Sequence, residues 1–317
     1  MGEFKTRFSV AGRFNRGGRG IPRHRHLSLN KQLEWEFALI LRRFLISLAL
    51  AQVACCAGAA WADALDAPRR AGMRELGGGI FVDPDMSPEQ LPWLPRLVEG
   101  ARRRLALYYG AAAARPNIVF CASADCYSRF GGIGLGFSDG ANVLIAPQGQ
   151  RIAIVAHELA HVELANRLGG LERLMEHIPQ WFDEGQAVMV SFAGEFTEDA
   201  WLEATDDGAL APSLGELSAM DDWVKLTGPN GENMQMTYGT ARREVSRWFS
   251  VVGIDGLADL LTALETREPF ADAYLRIEGV YRAAASTAQE MAGAGEAKAG
   301  QAAEPFVMPI NKGRAAW

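Results

Sequence analysis

Cysteine and histidine are scarce in this chain, and basic charge is scarce in most of it. Its 317 residues include 4 Cys and 5 His. Cys55 and Cys56 fall in an apolar N-terminal run with no lipobox before them, so lipidation is not expected. That leaves Cys121 and Cys126, too few for a four-cysteine zinc module. Residues 1–62 carry 10 Lys and Arg against 3 Asp and Glu, whereas the remainder carries 22 against 35. An acidic body of this kind argues against nucleic acid as a partner, because phosphate binding needs a basic face. The glycine-rich stretch GGIGLGFSDGA (131–141) lacks both the Gly-Lys-Ser/Thr ending and the following helix start of a phosphate-binding loop. It reads instead as a flexible loop or an edge strand. No internal repeat is visible, which argues against a repeat array.

What stands out is the run His157-Glu158-Leu159-Ala160-His161 inside RIAIVAHELAHVELANRLGG. Residues four apart on a helix share a face one turn apart, so both imidazoles can reach one metal ion. Glu158, next to the first His, can sit beside a metal-bound water without being a ligand. A catalytic zinc takes three protein ligands and keeps one open position. Two His supply two, and Glu184 in IPQWFDEGQAVMVS, 23 residues after His161, is the best candidate for the third. The flanking Ile152, Ala153, Val155, Ala156, Leu159, Ala160, Val162 and Leu164 make the helix apolar nearly all round, hence buried. Buried polar side chains need partners, and metal ligation would satisfy both His. The competing reading is a helix with two satisfied core histidines and a surface Glu. His177 reads as a surface or structural residue.

VAHELAHVELANRLGG followed by PQWFDEGQA resembles the gluzincin metallopeptidases, the HExxH-plus-Glu branch of the zincins. The WFDEGQA block is similar to the Trp-x-x-Glu-Gly-x-Ala block of aminopeptidase-N-like enzymes and equally to bacterial peptidase-MA-like domains. The resemblance runs from about Asn142 to Ser191 and more weakly through MTYGTARREVSRWFSVVGIDGLADLL. It implies Zn2+ on His157, His161 and Glu184, with Glu158 as general base. It also implies an oxyanion-stabilising Tyr beyond the third ligand, a position that Tyr238 matches. Tyr108, Tyr109 and Tyr127 are rivals for that role, and a Tyr238 hydrogen-bonded in the core is the alternative. NVLIAP (142–147) stands where the family has a strand over the zinc cleft that pairs with extended substrate. The chain departs from the family at three points. GFSDGANVLIAP replaces the Gly-Ala-Met-Glu-Asn-like segment that grips a substrate amine, so aminopeptidase activity is not expected. Val188 stands where the thermolysin pattern has an Asp, and no His follows His177.

The resemblance predicts an α+β, zincin-like fold. A small mixed β-sheet lobe would pack on the HExxH helix, followed by a mainly helical C-terminal lobe. Residues 1–62 read as a basic extension plus signal peptide, 63–283 as the peptidase domain and 284–317 as a low-complexity tail, either disordered or weakly helical. Arg42-Arg43, the run FLISLALAQVACCAGAA and Ala60-Trp61-Ala62 follow the secretory pattern, with cleavage near Ala62 and a periplasmic or secreted destination. The alternative is an uncleaved anchor at 44–62. In an oxidising compartment Cys121 and Cys126 would most simply form a local disulfide, a zinc pair being the rival. Strands are expected at 78–84, 116–121 and 142–147. One helix should open at Ser87-Pro88 and be kinked or restarted at Pro95, and another should run from Gln150 to Gly169-Gly170. From Thr197 to Ile277 the pattern is helical, broken at 228–231, with Trp201, Trp223 and Trp248 as core anchors. Three functions fit: an exported zinc endopeptidase acting on peptides or proteins, a catalytically silent zinc-binding module on the same scaffold that binds envelope proteins or peptides, and a zinc hydrolase of small amides or esters.

Overall fold

Three short apolar runs form the middle of a sheet. Ile80–Val82 (β2), Ile118–Phe120 (β3) and Val143–Ile145 (β5) are buried at every position. Such runs, without polar alternation, belong to strands covered on both faces. They lie parallel in the order β2-β3-β5. Arg74–Gly77 (β1) and Gly136–Ser138 (β4) flank them antiparallel, at the two edges. The computed structural model describes residues 64–301, with backbone alone beyond residue 289. The signal-peptide and anchor readings concern residues 1–62 and lie outside the described residues. None of the described helices is long and apolar enough to cross a membrane.

Side chains alternate across the sheet as the two-residue repeat of a strand demands. Ile80, Val82, Ile118, Phe120, Val143 and Ile145 face the helical core, and Phe81, Val119 and Leu144 face the other side. That second face is covered by Leu65, Met73, Tyr127, Phe130 and the Cys121–Cys126 disulfide. The bridge ties the end of β3 to a short helix, Ala124–Arg129 (α2), whose N-terminus is capped by Ser123 Oγ accepting from the Cys126 N–H. The cysteines are therefore a disulfide pair rather than a zinc pair.

Two local expectations are corrected. The strand at 142–147 is interior rather than the edge strand the family resemblance implied, and the edge strand is β4, in keeping with the edge-strand reading of 131–141. Val143, Leu144 and Ile145 are fully buried and need cover on both faces, whereas Gly136, Phe137 and Ser138 are only partly buried. Second, Ser87-Pro88 makes turns, and the helix begins later, as α1 (Leu94–Tyr109). Pro95 lies in its first turn, where a missing N–H breaks no helical bond. β1 has no counterpart in the expected strands, because Arg74-Glu75-Leu76-Gly77 shows no apolar alternation.

The HExxH segment forms α3 (Ile152–Leu168), stopped by Gly169 in the left-handed conformation. Leu171–His177 (α4) and Gln180–Ser191 (α5) follow. Then come Glu198–Thr205 (α6), Met220–Thr227 (α7), Met234–Glu265 (α8, broken at Gly253) and Phe270–Gln301 (α9). The α+β class expected from the sequence holds. α1 and α3 pack on the sheet's helical face, and α5 sits between α3 and α8. Trp181, Phe182, Trp248, Phe270 and Tyr274 interlock between α5, α8 and α9 with ring centroids 4.7–6.1 Å apart. Trp248 is fully buried, so truncating it to Ala would cost about 3–5 kcal/mol. Trp201 and Trp223 are buried too, as expected of core anchors.

One buried carboxylate fastens α3 in place. Glu163, 0% exposed, accepts the Ala113 and Ala114 N–H groups and the Arg167 Nε–H. Arg167 Nη2 also donates to the Ala111 carbonyl. The chain leaving α1 is thereby bound to the helix that carries the two histidines, and the buried charge is fully partnered.

Candidate metal centre

His157 and His161 lie one turn apart on α3, with Nε2 atoms 3.2 Å from each other. α5 brings in Glu184, whose Oε2 lies 3.3 Å from His157 Nε2 and 3.7 Å from His161 Nε2. Among the described residues these three form the group whose donor atoms converge closely enough to hold a metal ion. All three are only partly exposed, and Glu184 Oε2 is buried without a hydrogen-bond partner.

The residues around Glu184 explain why this helix presents it there. Successive side chains on a helix point about 100° apart, and each residue of the Trp-Phe-Asp-Glu-Gly-Gln run meets a different neighbour. Trp181 and Phe182 enter the aromatic cluster. Asp183 Oδ1 accepts from His161 Nδ1 at 2.8 Å. Glu184 faces both imidazoles. Gly185 faces α8, where a Cβ would stand 2.5 Å from the Ala241 carbonyl oxygen, so no larger residue fits without parting the helices. Gln186 points toward α1 and accepts from the Tyr109 hydroxyl at 2.7 Å. The α5 N-terminus is fixed by Gln180 and Trp181 N–H groups donating to the Ser218 and Leu217 carbonyls, which satisfies donors a helix leaves open.

Asp183 is the residue that sequence reasoning missed. The thermolysin pattern directs attention to position 188, where Val188 is fully buried in the core. Here the carboxylate immediately before Glu184 meets His161 instead. By accepting the Nδ1 proton it orients the ring so that Nε2 of His161 faces His157 and Glu184, and a cation bound there would displace the Nε2 proton. Burial by itself disfavours a charge on His161. The Asp183 carboxylate, with Glu184 and Glu158 nearby, overrides it and holds the imidazole's pKa up to about 10. Burial likewise opposes ionisation of Glu184, but His157, His161 and Gln180 hold its carboxyl below the ordinary range.

Glu158 is buried, and burial raises its pKa despite the pull of His157 and His161. Its wall is β4. A Cβ at Gly136 would stand 2.6 Å from both Cγ and Oε1 of Glu158, so the edge strand can lie against this carboxylate only where it carries no side chain. Tyr238, on α8, has its ring 6.3 Å from the His157 ring, stacked on Phe196 and edge-on to Trp223. Burial raises its hydroxyl pKa well above the usual value. Of the three rival tyrosines, Tyr127 is near enough to Glu158 for that carboxylate, after burial, to raise its hydroxyl pKa. Tyr108 stacks on Phe249, Tyr109 donates to Gln186, and Tyr127 donates to the Ile133 carbonyl. His177 is outside the converging group and lies 3.6 Å from Glu176.

Comparison of the chain with protein-family models, curated proteins and solved structures returned no match.

Proposed function

We propose that the chain is an exported zinc-dependent metallopeptidase of the gluzincin type, with a zincin-like arrangement of sheet, HExxH helix and helical lobe. One observation carries the reading. Glu184 Oε2 is a buried carboxylate oxygen that meets no well-aligned donor yet lies 3.3 and 3.7 Å from two imidazole Nε2 atoms. An unmade bond on a buried acceptor is costly, and a cation shared with the imidazoles offsets that cost. The donor set suits zinc: two imidazole nitrogens and one carboxylate oxygen. A tetrahedral ion with bonds of about 2.0–2.1 Å holds its donors about 3.3 Å apart, and the observed separations of 3.2, 3.3 and 3.7 Å are compatible with this.

In this reading His157, His161 and Glu184 hold the ion, and Asp183 orients His161. Zinc supplies, when bound, the Lewis acidity that makes water nucleophilic near neutral pH. Glu158 accepts the proton of the attacking water on its carboxylate and passes it to the leaving amine nitrogen. Tyr238, kept protonated by burial, donates a hydrogen bond to the developing oxyanion. The free edge of β4 offers its backbone to an extended peptide, a general mode of peptide capture. The Cys121–Cys126 bridge supports export, because structural disulfides persist in oxidising compartments.

The test is metal analysis of the purified protein, paired with digestion of a broad peptide library by wild type and Glu158→Gln. The expected result is one zinc per chain in both proteins and cleavage by wild type alone. Absence of bound metal, or equal cleavage by Glu158→Gln, would overturn the assignment. Bound metal without cleavage by either protein would favour the silent zinc-binding module, and turnover of small amides but not peptides would favour the third class.

A further inference from the structure

The metal centre continues inward beyond Asp183, through side chains with no ligand of their own to bind. Gln186 Nε2 donates to Asp183 Oδ1 at 3.3 Å, and Gln186 Oε1 accepts from the Tyr109 hydroxyl at 2.7 Å. Asp183, Gln186 and Tyr109 are all buried. Each link has one possible direction. A carboxylate can only accept, so the Gln186 amide must turn its NH2 toward Asp183. Its oxygen then faces Tyr109, whose hydroxyl must donate. The far end is anchored on the metal helix itself. The Arg167 guanidinium lies 4.8 Å from the Tyr109 ring centroid and is held by Glu163. The path therefore leaves α3 at His161, crosses α5 and α1, and returns to α3 at Arg167.

We infer that Gln186 and Tyr109 are positioning residues of the metal centre. They act through Asp183, holding its carboxylate in the place that sets the ring orientation of His161. This rests on the metal-centre reading above and extends it to residues 109 and 186. Partners of this kind commonly change metal affinity by about 10–100-fold. Without the Tyr109 hydroxyl, Gln186 loses its one donor and can turn, so Asp183 loses a support that the protein interior cannot replace with bulk water.

The experiment measures zinc affinity of the full chain by competition with a chromophoric chelator, and the visible spectrum after loading with Co2+. The proteins are wild type, Tyr109→Phe, Asp183→Asn and the Tyr109→Phe/Asp183→Asn double variant. Tyr109→Phe keeps the ring and its Arg167 contact. It is expected to weaken zinc binding about tenfold, the low end of the range for outer partners, and to shift the Co2+ spectrum. In the Asp183→Asn background the same change should add almost nothing, because a residue acting through Asp183 has no further route to the metal. Gln186→Leu, the second variant, should weaken zinc at least as much as Tyr109→Phe. Wild-type affinity in Tyr109→Phe, or a loss of the same size in both backgrounds, overturns the inference. If wild type itself binds neither ion, the metal-centre reading falls instead.

Discussion

Replacing Gly136 by Ala tests whether β4 sets the position of Glu158. The added Cβ would stand 2.6 Å from Glu158 Cγ and Oε1 and 2.9 Å from Cδ. Ordinary contact begins near 3.4 Å, so strand or carboxylate must yield by about 0.8 Å, and displacement of a reacting group by about 1 Å can cost on the order of 10²-fold in rate. β4 is one of the sheet's hydrogen-bonded strands, paired with β5 at Gly136–Ile145. The Glu158 carboxylate is the softer partner and moves first. The expected outcome is a fall in kcat/KM of about 10²-fold, or about 2.7 kcal/mol of transition-state stabilisation. Bound zinc should be unchanged, since the contact involves none of the three ligands. The assay is hydrolysis of a fluorogenic peptide drawn from the library digest, with zinc content measured on the same preparation. Gly194→Ala, where a Cβ would meet nothing within 4 Å, is the control and should behave as wild type. Wild-type turnover by Gly136→Ala would refute the idea that the strand constrains Glu158. Loss of zinc alongside activity would show that the damage spreads to the ligands, and would refute it equally.

Glu163→Gln should remove a charge-assisted buried cluster and lower stability by about 3 kcal/mol. That corresponds to roughly 6–12 °C in Tm; a differential scanning calorimetry shift under about 2 °C would contradict the anchoring role of Glu163. Gly185→Ala puts a Cβ 2.5 Å from the Ala241 carbonyl oxygen, and the resulting strain should cost about 1–3 kcal/mol and weaken metal retention. Full zinc occupancy with an unchanged Tm would show that α5 and α8 separate at no cost. Acid stability should depend on Glu278, whose carboxyl the Arg247 guanidinium, helped by Arg282, holds down to about 2. A folded-state value below the unfolded one gives stability that is complete above about pH 5 and is lost as the pH falls toward 2. Glu278→Gln should therefore flatten the Tm-versus-pH curve across that window, and parallel curves would remove Glu278 from the account.

The sheet core and the metal helix were legible because their patterns are dense and local. Apolar runs at 80–82, 118–120 and 143–145 announce covered strands, and the double glycine after Leu168 announces a helix stop. The closeness of His157 to His161 follows from helical geometry alone. Glu184 was nameable as a third donor, but its approach to the imidazoles depends on α5 crossing α3, a long-range contact with no local signature. Asp183 escaped because the family spacing points four residues past Glu184, to Val188. On a helix the residue just before Glu184 points to another side, and only the placement of α3 makes that the side of His161. Gly136 escaped for a different reason. A glycine in a glycine-rich stretch reads as flexibility, whereas its use here is to leave room for a carboxylate 22 positions downstream. The edge strand did come from 131–141, as one of the two readings of that stretch had it, and not from 142–147, the place the family resemblance implied.

The brevity of β4 has a consequence for life at high concentration. An unpaired strand rim is a template onto which other chains can stack. Here the outer strand is three residues long, and Gly134 and Gly140, both with positive φ, turn the backbone out of the ladder on either side. In the proposed peptidase the rim would need to pair with only a short stretch of peptide, and it is too short to seed growth of a shared sheet with copies of itself. The outermost strand can therefore keep a partly exposed backbone without making the chain prone to clump.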